Sequence, residues 1–88
     1  MKQSQPIRVK LYSTMSCPYC KMEKAWLESK KINHEVIYVD LSPKEAEAMV
    51  KKTGQMGVPV TEIQFGDEKP AYVIGFDTAQ LSHLLGVS

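Results

Sequence analysis

Apolar residues along the chain change between two spacings, and this change predicts alternating strands and helices. Residues 7–12 and 34–39 form short apolar runs typical of strands in a sheet. Between them, residues 18–30 carry apolar side chains three or four positions apart, which predicts a helix with one buried face. The predicted buried stripe consists of Tyr19, Met22, Ala25, Trp26 and Leu27.

A second helix is predicted after Ser42, which stands before Pro43 and three positions before Glu45. Serine is a favoured N-cap, proline suits the first helical position, and a glutamate three residues on completes a capping box. Gly54 is predicted to end this helix. Its predicted buried residues are Ala46, Met49 and Val50.

The rest of the chain predicts a hairpin and a last helix. Residues 58–65 and 71–74 are expected to be paired strands joined by a turn over residues 66–69. Asp77 or Thr78 is then expected to cap a helix that ends at the last glycine.

The resulting order is strand, helix, strand, helix, strand, strand, helix. A helix between the first two strands requires a parallel pair with a right-handed crossover, whereas the hairpin supplies antiparallel strands. We therefore expect an α/β fold, a four-stranded mixed sheet with three helices on its two faces. The 88 residues are expected to form one domain, 1–88, in which residues 1–6 are a flexible N-terminal segment.

Composition limits the setting in which the protein works. A net charge of +1 gives no electrostatic attraction to nucleic acid or to an anionic membrane, so neither is an expected partner. No apolar run approaches the 18 or so residues of a membrane span, and residues 1–6 lack the apolar core of a signal peptide. A single close pair of cysteines fits a reducing compartment. We therefore expect a cytoplasmic protein, present as a monomer.

The chain has two cysteines, Cys17 and Cys20, and both lie where the first predicted helix begins. Side chains three positions apart on a helix share a face, so a reversible disulfide can form across one turn. Unpaired N–H groups at a helix start favour a thiolate at Cys17, and Lys21 and Lys24 add positive charge nearby. A thiolate is the nucleophile of thiol–disulfide exchange, so the motif predicts a dithiol that moves pairs of electrons.

Four motifs in this order resemble the glutaredoxin family of thioredoxin-fold proteins, from about residue 7 to residue 86. They are Tyr12-Ser13 leading to Cys17-Pro18-Tyr19-Cys20, then Thr53-Gly54-Gln55, Val58-Pro59 and Gly75-Phe76-Asp77. The resemblance implies a thioredoxin-like fold and a thiol–disulfide oxidoreductase that reduces protein disulfides or glutathione mixed disulfides. It implies no bound cofactor, with glutathione as co-substrate.

The resemblance also implies roles for individual residues at the thiol exchange. Cys17 is expected to attack the disulfide and Cys20 to resolve the intermediate, while Tyr19 packs against a bound glutathione. Pro59 matches the family's cis-proline, which leaves the backbone of Val58 free to pair with an extended substrate.

The two ends of glutathione are expected at other motifs. Gly75, Phe76 and Asp77 would receive the γ-glutamyl end at the start of the last helix, and Gln55 would contact the glycine end.

Two positions depart from the family pattern. Thr14 stands where glutaredoxins often carry a lysine that pairs with the glycine carboxylate, and Ile74-Gly75 replaces a pair of glycines. Both departures favour a related alternative, the redoxins that donate electrons to ribonucleotide reductase and are recharged by thioredoxin reductase. The expected partners are therefore glutathione and disulfide-bearing proteins, or those two enzymes.

An alternative from another class is a non-catalytic module whose cysteine pair holds a metal or an iron–sulfur cluster. Zinc takes four ligands, and the remaining imidazole donors, His34 and His83, stand at spacings that match no zinc-finger pattern. We therefore expect no metal site, and we expect both histidines at the surface or at an edge.

Overall fold

Seven elements of secondary structure follow one another in residues 8–66 and 69–87, the parts of the chain that the computed structural model describes. They have the predicted order and are β1 (Arg8–Ser13), α1 (Pro18–Ser29), β2 (Glu35–Tyr38), α2 (Pro43–Thr53), β3 (Val60–Gln64), β4 (Ala71–Ile74) and α3 (Thr78–Leu85). The predicted N-terminal segment over residues 1–6, and Asp67 and Glu68 of the predicted turn, lie outside the described residues.

Strand β1 lies inside a mixed sheet whose strand order is β2-β1-β3-β4. It pairs with β2 in parallel, and the other two pairings are antiparallel, as predicted. Tyr12 near the end of β1 lies opposite Val60 at the start of β3, and Val60 lies opposite Ile74 at the end of β4. The segments that follow β1, precede β3 and follow β4 therefore meet at one end of the sheet.

Alternate residues of the strands build a core on each face of the sheet, because successive side chains point to opposite faces. On one face the sheet packs against α1 and α3 through a buried cluster of Val9, Leu11, Leu27, Ile63, Val73, Leu81 and Leu85. On the other face it packs against α2 through a smaller cluster of Tyr12, Met49 and Val60. The helices cover both faces, as predicted.

A buried carboxylate fastens α2 to the sheet. Glu62 is 2% exposed, and its Oε1 accepts hydrogen bonds from Lys52 Nζ (3.1 Å) and from the Tyr12 hydroxyl (3.2 Å). Its Oε2 accepts from Gln64 Nε2 (3.1 Å). Burial acts to raise the pKa of Glu62, but the bonds from Lys52 and Gln64 outweigh it, and the pKa lies below its ordinary value.

The predicted helix caps are present. Ser42 Oγ accepts a hydrogen bond from the N–H of Glu45 (3.4 Å), and Asp77 Oδ1 accepts one from the N–H of Gln80 (3.1 Å). Gly54 ends α2 at a φ of 72°, a left-handed conformation that glycine adopts without steric cost. Gly54 is followed by the segment that enters β3 at the end of the sheet described above.

The buried face of α1 differs from the predicted stripe. Tyr19, Met22 and Ala25 are exposed, so their placement in the stripe is wrong, whereas Leu27 is fully buried and Trp26 packs partly against the core. Met22, expected in the core, is 51% exposed, because the helix is rotated so that Cys20 faces the sheet. The residues buried on α1 are Cys20, Glu23 and Leu27.

The prediction for α2 needs a similar correction. Met49 is buried as expected and Ala46 is half-buried, but Val50 is 37% exposed. One residue corresponds to about 100° of rotation around a helix. Val50 therefore lies beside the buried stripe that contains Met49, not within it.

Candidate functional site

Cys17 and Cys20 are joined by a disulfide at the first turn of α1. Cys17 precedes the helix with extended backbone angles (φ −89°, ψ 110°) and serves as its N-cap, and Pro18 takes the first helical position. The Cα atoms of the two cysteines are 5.2 Å apart, a separation that a disulfide spans without backbone movement. The bond can therefore close and open across one helical turn.

The two sulfur atoms have different surroundings. Cys17 is partly exposed, and its Sγ accepts a hydrogen bond from the backbone N–H of Cys20 (3.1 Å). This N–H at the helix start stabilises a thiolate at Cys17 once the disulfide is reduced. Cys20 is only 1% exposed, and burial favours its neutral thiol. Of the two sulfur atoms, that of Cys17 is therefore the more accessible from solvent.

Pro59 lies at the same end of the sheet as the cysteine motif. The Val58–Pro59 bond is cis, as predicted, and Pro59 is buried. Its carbonyl accepts a hydrogen bond from the N–H of Gly75 (2.9 Å), which ties the segment before β3 to the segment after β4. The strand register places both segments beside the end of β1, from which the chain runs to Cys17.

Gln55 and Val58 lie on the segment between α2 and β3. Val58 is half-buried and packs against the core on the α2 face, which anchors the residue before the cis bond. Gln55 is exposed, and its backbone N–H donates to Thr53 Oγ1 (3.0 Å) at the end of α2. The predicted contact of Gln55 with glutathione stays a prediction.

Gly75, Phe76 and Asp77 form the turn from β4 into α3. Gly75 has a φ of 83°, at which a side chain would be strained, and Phe76 packs against the core on the α1 face. The two carboxylate oxygens of Asp77 accept from the N–H and from the side-chain amide of Gln80, each at 3.1 Å. Asp77 is thus held at the start of α3, and its role toward glutathione stays a prediction.

Exposed apolar side chains accompany this site, and two of them lie outside the residues predicted for it. Met15 precedes the cysteine motif and is 56% exposed, Tyr19 is 62% exposed, and Met56 is 82% exposed on the segment before Pro59. The sequence signal for Met15 and Met56 was the position of each methionine in a loop, outside any helical stripe, which favours exposure. Such side chains offer an adaptable apolar contact surface.

Positive charge also lies beside the cysteine pair, as expected. A cavity of about 190 Å³ reaches Cys20 between α1 and β2, and its lining includes Lys21 and Lys24 together with Val36 and Tyr38. Cations that line a cavity together with a cysteine favour anionic sulfur over neutral sulfur.

Glu23 is a buried acid that sequence analysis missed, because the helical pattern places it among the polar residues between the apolar positions of α1. It is fully buried, its Oε2 accepts a hydrogen bond from the Thr61 hydroxyl, and its Oε1 has no partner among the described residues. Burial raises the pKa of Glu23 to about 7, although the bond from Thr61 acts to lower it. The available sequence signal was its spacing: Glu23 stands three residues after Cys20 and four before Leu27, so the three side chains share one face of the helix.

Within residues 8–66 and 69–87, histidine, cysteine, aspartate and glutamate side chains do not gather in groups of three or more that could hold a metal ion. No helix in these ranges is long and apolar enough to cross a membrane.

Comparison with known proteins gives one consistent family. The model of the family described as glutaredoxin matches residues 9–65. An uncharacterised glutaredoxin-like 8.6 kDa protein in the rubredoxin operon of Clostridium pasteurianum is 36% identical over 77 residues, which cover 88% of this chain and 96% of that protein.

Solved structures give the same fold. The glutaredoxin from Archaeoglobus fulgidus superposes with a TM-score of 0.73 at 28% identity, over 89% of this chain and 85% of its own. The glutaredoxin-like NrdH-redoxin from Escherichia coli, whose structure was studied for its thioredoxin-like activity profile, gives a TM-score of 0.72 at 28% identity, over 89% and 95%. The expected thioredoxin-like fold is confirmed.

The asymmetry between the cysteines predicts the order in which they react. In the reduced protein near neutral pH, limiting iodoacetamide should label Cys17 well before Cys20, because Cys17 is partly exposed and accepts an N–H bond, whereas Cys20 is buried. Peptide mass spectrometry measures the order, and the same protein in denaturant should label both thiols at similar rates. Equal labelling in the folded protein, or faster labelling of Cys20, would contradict the assignment of Cys17 as nucleophile.

The buried acid predicts how stability depends on pH in the oxidised protein. The pKa of Glu23 is raised from 4.5 to about 7, so the folded state binds an extra proton between these values and loses stability as the pH rises through this window. Glu23→Gln cannot ionise. Relative to this variant, the wild-type free energy of unfolding should fall by about 3 kcal/mol from pH 4.5 to above pH 7. Urea unfolding at several pH values measures the free energy of unfolding of both proteins. If the two free energies change with pH in the same way, the Glu23 carboxyl is not protonated at neutral pH.

Proposed function

This chain belongs to the glutaredoxin family, and we propose that it reduces protein disulfides or glutathione mixed disulfides through Cys17 and Cys20. The observation that carries the proposal is the pairing of a partly exposed cysteine at a helix N-terminus with a buried cysteine one turn along the same helix. The first is suited to attack and the second to resolution. Such a dithiol needs a reducing compartment to be recharged, which favours the cytoplasm.

The reaction is proposed to run in two steps that each form one S–S bond and break another. The Cys17 thiolate attacks a substrate disulfide, forms a mixed disulfide and releases one substrate thiol. Cys20 loses its proton and attacks the Cys17 sulfur, which closes the Cys17–Cys20 disulfide and releases the second thiol. The protein is thereby oxidised by two electrons and the substrate is reduced by two.

The substrate is proposed to lie along the segment before β3. Val58 precedes the cis bond at Pro59, and its anchored side chain leaves a defined backbone to which an extended peptide or glutathione can add as a short strand. Tyr19, exposed at the start of α1, would cover the other side of the exchanging sulfurs.

Glutathione is the proposed co-substrate that recharges the protein. The start of α3 offers N–H groups to the γ-glutamyl carboxylate, with Gly75, Phe76 and Asp77 forming the turn, and Gln55 would contact the glycine end. Thr14 supplies no charge for the glycine carboxylate, so we expect weaker glutathione binding than a lysine there would give.

A second candidate is a redoxin recharged by thioredoxin reductase that donates electrons to an enzyme such as ribonucleotide reductase. The likeness to the NrdH-redoxin over 95% of that chain favours it, together with Thr14 and the exposed methionines, which suit a protein surface more than a small peptide. Either way we propose a monomer without a bound cofactor, and the metal content of the purified protein tests the alternative of a metal module.

Cys20→Ser separates the two candidates. On a small glutathione mixed disulfide, with glutathione and glutathione reductase, the variant should retain much of its activity, because Cys17 alone takes the glutathionyl group and a second glutathione releases it. Reduction of a protein disulfide should be lost almost entirely, since the intermediate cannot resolve within the chain. Cys17→Ser is the control and should be inactive in both assays.

The outcomes distinguish the candidates. If Cys20→Ser is inactive in both assays and the wild type accepts electrons only from thioredoxin reductase, the redoxin is the correct interpretation.

Thr14→Lys should lower the KM for glutathione if the missing positive charge limits glutathione binding. An unchanged KM would show that position 14 does not limit glutathione binding. Inactivity of the wild type with both electron sources would contradict the proposed function altogether.

A further inference from the structure

We propose that Glu23 exchanges a proton with Cys20 each time the Cys17–Cys20 disulfide forms or is reduced. The proposal rests on the proposed function and concerns its second step, the attack of Cys20 on the mixed disulfide. Glu23 acts on the reaction through the thiol of Cys20 and has no contact with substrate in this assignment.

The geometry places the two groups on the same buried face of α1. Cys20 and Glu23 are three residues apart on α1 and lie on its buried face, with 1% and 0% of their surfaces exposed. Residues at this spacing have Cβ atoms about 5–6 Å apart on the same side of a helix. The carboxyl group is therefore one helical turn from the sulfur that must lose its proton.

The hydrogen bonds leave one carboxyl oxygen available. Thr61 on β3 donates to Oε2 and fixes the orientation of the group, whereas Oε1 is buried without a partner among the described residues. A buried polar atom without a hydrogen bond is costly, so packing alone does not account for a carboxyl group here. An oxygen that takes and returns a proton does account for it.

The attack of Cys20 on the mixed disulfide moves one proton and forms one S–S bond while it breaks another. The ionised carboxyl of Glu23 takes the proton of the Cys20 thiol, the S–H electron pair forms the new bond to the Cys17 sulfur, and the substrate sulfur leaves with the pair of the broken S–S bond. When the disulfide is reduced again, Cys20 leaves as a thiolate and Glu23 returns the proton. Because its pKa is about 7, Glu23 is present in both forms near neutral pH and can serve in either direction.

Within residues 8–66 and 69–87, Glu23 is the carboxyl group that shares the buried face of α1 with Cys20. The strands under α1 present Thr61, Ser13 at the cavity and apolar side chains, and α3 presents Leu81 and Leu85. The pKa shift of Glu23 has burial and the Thr61 bond as its causes, with no charged neighbour among them. The other charged or titratable groups of the neighbouring elements lie on exposed sides, at the cavity or on the α2 face of the sheet, and they include Arg8, Lys10, Tyr12, Lys21, Lys24, Glu28, Glu35, Tyr38, Glu62, Tyr72 and His83.

Stopped-flow reaction of the reduced protein with 5,5′-dithiobis(2-nitrobenzoate) tests the proposal, because each step releases one thionitrobenzoate. In the wild type, the second release should slow as the pH falls through neutrality. Glu23→Gln should slow the second release by at least about ten-fold near neutral pH and make it rise steadily with pH, while the first release is unchanged. The exposed Glu28→Gln on the same helix is the matched control and should leave both releases unchanged.

Thr61→Val provides an independent arm that keeps the carboxyl group and the shape of the side chain. Loss of the hydroxyl removes the bond that stabilises the carboxylate, so the midpoint of the second release should move to higher pH. A second release that is as fast in Glu23→Gln as in the wild type, or an unmoved midpoint in Thr61→Val, would overturn the proton transfer. Absence of the first or of the second release from the wild type would instead overturn the proposed function.

Discussion

The antiparallel pairing of β1 with β3 is the constraint on which the site depends. It sets Tyr12 opposite Val60, so the chain leaves β1 toward the cysteines where another part of the chain enters β3 through Pro59. The pairing of β3 with β4 brings the turn at Gly75 to the same place, and the bond between Gly75 and the Pro59 carbonyl ties the two segments together. A shift of register by one residue would invert both faces of the strands and separate these segments.

The rotation of α1 sets the difference in solvent exposure between the two cysteines. Because Cys20 faces the sheet, Cys17 at the helix start remains open to substrate, and the next buried position along the helix is Glu23. Two buried glutamates lie on opposite faces of the sheet, Glu62 under α2 and Glu23 on α1, and they differ in their hydrogen bonds. Glu62 is fully paired and its pKa is lowered, whereas Glu23 has one partner and its pKa is raised. The first is suited to hold α2 in place and the second to exchange a proton.

Much of the fold was predictable because its signals are local. Ser42, Gly54 and Asp77 carry the chemistry of helix caps, and the apolar runs give the strands and their order. The phase of α1 was not predictable in the same way. Met22 is apolar and Glu23 is charged, yet Met22 is exposed and Glu23 is buried, because tertiary packing of Cys20 and Leu27 sets the rotation. The cysteine pair and the cis-proline followed from motifs, whereas Glu23 and Thr61 meet only once α1 lies on β3.

The assignment of Cys17 and Cys20 as one reversible two-electron couple at the start of α1 can be tested by redox equilibration. The protein is equilibrated with mixtures of reduced and oxidised dithiothreitol, quenched with acid, alkylated and analysed by intact mass. We expect a single transition between species with two free thiols and species with none, within the monomer. A large population with one free thiol, or disulfide-linked dimers in place of the internal bond, would contradict it.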